Sequence, residues 1–72
     1  MHPARIRLQL HGVSVSEIAR DVGLSTSAVS LQLAGRTRLA ESVHDAIAER
    51  IGDEATREVV EAIPERIEQA AA

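Results

Sequence analysis

The chain has no cysteine and no aromatic residue, and all eight of its basic side chains are arginine. Without cysteine there can be no disulfide and no thiolate metal ligand. Without Phe, Tyr or Trp the interior must be built from Leu, Ile, Val and Ala. The same absence removes base stacking, the usual device of single-strand nucleic-acid binders. No apolar run approaches the ~18 residues of a membrane span. The N-terminal "MHPARIRLQLHG" lacks the apolar stretch of a signal peptide. A protein confined to the cytoplasm is the expectation, with no membrane partner. Alternating β-branched runs bounded by hairpin turns are missing too, so no strand is expected.

What is present is 72 residues, enough for one small domain. A core of that size is marginal alone and commonly gains from a partner. The net charge of −3 is unevenly spread. Residues 1–38 hold five arginines against Glu17 and Asp21, a net of +3, whereas residues 39–72 hold three arginines against nine acids, a net of −6. A basic half and an acidic half direct a polyanion to one side.

Apolar spacing is helical almost throughout. A first helix is expected from Pro3 to about His11, with Ile6 and Leu10 on its inner face and Gly12 as terminator. A second spans Val15 to Val22, opened by Ser14 and Glu17 at capping-box spacing. Arg20 is expected to pair with acids of this helix such as Glu17. Gly23 makes a tight turn and Leu24 packs into the angle. A third helix starts with Ser25 as its cap and runs to about Ala34. After the basic loop "GRTRL", a fourth spans Leu39 to Ile51, with Thr37 or Ser42 as cap and Gly52 as stop. Asp53 caps a last helix over residues 53–72, kinked at Pro64. Its apolar stripe is Val59, Val60, Ile63 and Ile67, more than one intrachain contact needs. A second copy is the simplest cover, so a homodimer through these four residues is expected.

The central pattern is helix, glycine turn, helix. Ile18, Ala19, Val22, Gly23, Leu24, Val29 and Leu33 set the two helices at a fixed angle. "VSEIARDVGLSTSAVS" resembles the helix-turn-helix of LacI-type repressors and of the Cro/repressor proteins of phages. The wider stretch over residues 5–52 is similar in layout to small phage regulators of the Ner type. The resemblance implies an all-α, lambda-repressor-like five-helix bundle, with residues 1–52 as the DNA-binding domain. It implies a third helix lying in the major groove and a second crossing the backbone.

The residues agree with that placement. With Val29 and Leu33 inward, Thr26, Ser27, Ser30 and Leu31 point out, as candidate base contacts. Small hydroxyls let a helix approach base edges closely, and Leu31 suits a thymine methyl group. Arg36, Arg38 and Arg5 are candidate backbone contacts, joined by Ser25, whose hydroxyl is first of all a cap. Gln32 stands where the family commonly has an apolar residue. Either the inner face shifts toward Leu33, or Gln32 reaches back toward DNA.

His2, His11 and His44 have no ligand spacing, so no metal site is expected. Neither an enzyme, nor a cofactor, nor a small-molecule ligand is expected. The reading is a sequence-specific, double-stranded DNA-binding transcriptional regulator, a small repressor occupying an operator. The alternative is a protein-interaction module, such as an antitoxin or adaptor, that uses the C-terminal helix.

Overall fold

The computed structural model describes residues 2–64, which form α1 (Pro3–Leu10), α2 (Val15–Val22), α3 (Thr26–Leu33) and α4 (Glu41–Glu61). The described chain is all-α, with four helices and no strand among the described residues. None of these helices is long and apolar enough to cross a membrane. α1 packs on α4 and on α3, and α2 packs on α3 and α4.

The two short middle helices start as their sequences require. Ser14 Oγ accepts the Glu17 N–H at 3.2 Å, and its hydroxyl donates to the Glu17 carboxylate at 3.3 Å. Ser25 Oγ accepts the Ala28 N–H at 3.0 Å. Each cap satisfies a backbone donor that the first helical turn leaves without an internal partner.

Four expectations about the ends and faces of the helices need correction. First, α1 buries Ala4 and Leu8, while Ile6 is 42% and Leu10 77% exposed. The chain after α1 explains this face. The Gly12 and Val13 N–H groups fold back onto the Gln9 and Leu8 carbonyls, so Val13 joins Leu8 inside. Hydrophobic contact across such a glycine cap is its usual companion. Small Ala4 also lets α1 lie close to its neighbours.

Second, α4 starts at Glu41 behind Ala40, without a side-chain cap from Thr37 or Ser42. Third, the last helix is a second arm of α4. Gly52 interrupts it with φ 88 and ψ 164, a conformation that only a residue without Cβ adopts cheaply. The bond at this break comes from Thr56, not Asp53. Its buried hydroxyl donates to the Gly52 carbonyl at 2.6 Å. Fourth, Pro64 lies beyond the helix, which ends at Glu61 with Ala62 as its C-cap. Proline disfavours helical geometry in the residue before it, so the chain leaves the helix early.

The core is Ala4, Leu8, Val13, Val15, Ile18, Ala19, Val29, Leu33, Val43, Ala46, Ile47 and Val59, with Ile51 and Ile63 packed partly against it. Full burial of each Leu, Ile or Val contributes about 1.5–3 kcal/mol. An ionic clamp crosses its rim. Arg50 on α4 reaches Asp21 at 2.7 Å and Glu17 at 2.8 Å, both on α2. The expected partner of these acids was Arg20, which is exposed. A planar guanidinium spans two carboxylates one helical turn apart better than a neighbour on the same helix can.

Candidate nucleic-acid interface

α2 ends at Gly23, which is left-handed with φ 73 and ψ 27. The Gly23 and Leu24 N–H groups both reach the Ala19 carbonyl, so the chain turns at once into the Ser25 cap. Ile18, Ala19, Val29 and Leu33 are buried in the angle between α2 and α3, and Val22 is half-buried. Leu24 departs from expectation, being 40% exposed. The angle is already filled by those four residues, and the turn carries Leu24 toward solvent.

α3 buries Val29, Gln32 and Leu33. At about 100° per residue, that face puts Ser27 and Leu31 on the opposite side. Thr26, Ser27 and Leu31 are exposed, Leu31 by 46%, and Ser30 is half-buried on the flank. Of the two orientations open to Gln32, the structure adopts the inward one. Gln32 Oε1 accepts the Ala40 N–H at 2.9 Å, closing the end of α3 onto the start of α4.

The segment between them carries Arg36 and Arg38, both exposed. Its start is tied to α3 as well. The Gly35 N–H bonds the Gln32 carbonyl and the Arg36 N–H bonds the Leu31 carbonyl, a glycine-centred helix cap. Gly35 is buried, has φ +78, and lies so close to the Pro64 carbonyl that a side chain there would collide with it. Arg5 is half-buried on α1. Its Nε is enclosed without a hydrogen-bond partner.

The clamp has an electrostatic effect. Glu17 and Asp21 are the only acids in residues 1–38, and Arg50 holds both. The hydrogen bond from Arg50 keeps the Asp21 carboxyl below its ordinary range, against the opposing effect of burial and helped by the charges of Arg50 and Arg20. The arginines of the 34–40 loop have no ion pair among the described residues, whereas Arg7 on α1 lies 4.0 Å from Glu58 of α4. A depression of about 670 Å³ between α2 and α4 is lined by Asp21, Val22, Ser42, Asp45, Ala46 and Glu49. Its acidic walls have the wrong sign for phosphate.

The four residues expected at a dimer contact separate. Val59 is fully buried in the chain's own core and is not available to a second copy. α1 packs on α4 and its Arg7 reaches Glu58, the residue before Val59, which places this turn of α4 against α1. Val60 is half-buried, Ile63 packs partly on the core, and Ile67 lies outside the described residues.

The sequence pattern did not reveal the Arg50 clamp, the Gln32 bond or the Gly35–Pro64 contact. Gly35 followed by a polar loop was the one local signal among them. Comparison with protein-family models, curated proteins and solved structures finds no match for the chain.

Proposed function

We propose that the chain is a sequence-specific transcriptional regulator that binds double-stranded DNA, with α3 in the major groove and α2 across the backbone. The observation that carries this reading is the outer face of α3. Thr26, Ser27 and Leu31 are exposed on an eight-residue helix whose inner face is sealed by Val29, Gln32 and Leu33. Short hydroxyls can donate to or accept from base edges, and a protruding leucine fits a thymine methyl group. Arg36 and Arg38, in the loop that follows, supply phosphate contacts that position without specifying. This reading takes the two arms of α4 as the fourth and fifth helices of a lambda-repressor-like bundle, a reading that the break at Gly52 supports. The role is that of a small cytoplasmic repressor of phage type on an operator.

Two copies related by a twofold axis would read half-sites about one helical turn, ~34 Å, apart. Val60 and Ile63 keep enough free surface to contribute to such a contact. A second reading, a protein-interaction module of antitoxin or adaptor type, is favoured by one observation, the exposure of Ile6 and Leu10 on the outside of α1. A gel-mobility titration with random-sequence duplex separates the two. Retardation at micromolar protein in low salt, weakening as salt rises, supports DNA binding. No retardation at any salt would leave the protein-interaction reading.

A further inference from the structure

We infer that Gln32 is the positioning residue of the phosphate-binding loop, setting Arg36 and Arg38 relative to α3 without touching DNA itself. The inference rests on the DNA-binding reading above. A loop that carries two arginines contributes to affinity in proportion to how well its backbone is held, because each ordering step otherwise falls on the binding event. The start of this loop is held by main chain. The Arg36 N–H is bonded to the Leu31 carbonyl at 3.0 Å and the Gly35 N–H to the Gln32 carbonyl at 3.1 Å. Its far end has no such backbone tie to α3. There the link is one side chain, Gln32 Oε1, accepting the Ala40 N–H at 2.9 Å. Arg36 and Arg38 lie between the two anchors.

The position explains an otherwise costly choice. Gln32 is 8% exposed, on the face of α3 that Val29 and Leu33 fill with hydrocarbon. A buried amide is tolerated only with its hydrogen bond made. An apolar residue would pack there at lower cost but would leave the Ala40 N–H, at the start of α4, without this acceptor. The bond runs from the same helix that bears Ser27 and Leu31. Loop and reading face therefore move as one body.

Two substitutions remove the bond from opposite ends. Gln32→Met keeps length and volume and deletes the acceptor. Ala40→Pro deletes the donor at a residue whose φ of −73 already suits proline. In each variant the slope of log affinity against log salt should become shallower by about one to two units, at about 0.9 per phosphate contact. The sequence selected from a random duplex pool should stay that of the wild type. The double variant should lose no more than either single one, since both break one interaction. Helical circular dichroism confirms that each variant is folded. If one is not, the other still decides. Amide exchange gives a DNA-independent arm, in which the Ala40 amide is protected in the wild type and exchanges much faster in Gln32→Met. Unchanged slopes in a wild type that does bind, or additive losses in the double variant, would overturn this inference alone. A wild-type chain that binds no duplex overturns it together with the DNA-binding reading.

Discussion

Gly35 and Gly12 share a backbone conformation but not a neighbourhood. Both are left-handed, at φ 78 and 79, and both follow a helix. A Cβ on Gly12 meets nothing within 4 Å, whereas one on Gly35 strikes the Pro64 main chain. Gly12→Ala should therefore cost only the conformational penalty, roughly 1–2 kcal/mol. Gly35→Ala should add an overpacking cost of about 1–3 kcal/mol. Urea unfolding followed by circular dichroism checks this, and equal midpoints for the two variants would contradict the contact. The Arg50 clamp makes a prediction of a different kind. Asp21 has a carboxyl pKa below its ordinary value, chiefly because it accepts a hydrogen bond from Arg50. The folded state then binds the proton less readily than the unfolded state. The stability from the pair is fully present above the ordinary carboxylate value and is lost as pH falls through the lower folded value. Thermal unfolding from about pH 5 downward should show the wild type losing Tm more steeply than Arg50→Met. Parallel curves would mean that the clamp does not stabilise the fold.

At the scale of the element, α3 divides its labour between two faces, and the faces should separate in experiment. Thr26→Ala, Ser27→Ala and Leu31→Ala replace exposed side chains and should leave unfolding midpoints within ~0.5 kcal/mol of wild type. Each should relax preference at particular base positions, a correct contact discriminating by roughly 1–3 kcal/mol. If all three retain the wild-type selected sequence, the reading face lies elsewhere. The extent of α2 and the start of α3 were legible because Ser14, Ser25 and Gly23 are local signals, whose meaning needs only the next few residues. α1 was misread for the opposite reason. Ala4 and Leu8, and equally Ile6 and Leu10, stand one turn apart, and composition favours the second pair. The packing of α1 decided for the first, and the clue was Val13 just beyond Gly12, the partner that a glycine cap brings onto Leu8. Gln32 and Arg50 were illegible because their partners lie 8 and 29 to 33 residues away. No local pattern encodes such pairings.

Across the whole molecule, charge and apolar surface are sorted. The five arginines of residues 1–38 lie on α1, α2 and the 34–40 loop, while their only two acids share the single positive charge of Arg50. α4 carries most of the described acids, so on the DNA-binding proposal a duplex should approach from the side away from α4. Valines 59 and 60 test the assembly. Val59→Asp puts a charge in the core and should unfold the chain. Val60→Asp should stay folded, and sedimentation equilibrium at micromolar concentration should then give a monomer where the wild type gives a dimer. A monomeric wild type, free and on DNA, would remove the two-copy arrangement. The central claim, that α3 reads duplex sequence, is tested most directly by selection of bound sequences from a random double-stranded pool. The wild type should enrich one motif, and Leu31→Ala should enrich a motif degenerate at a single position in each half-site. Recovery of the unenriched pool by the wild type, despite retention of DNA, would contradict sequence reading by this helix.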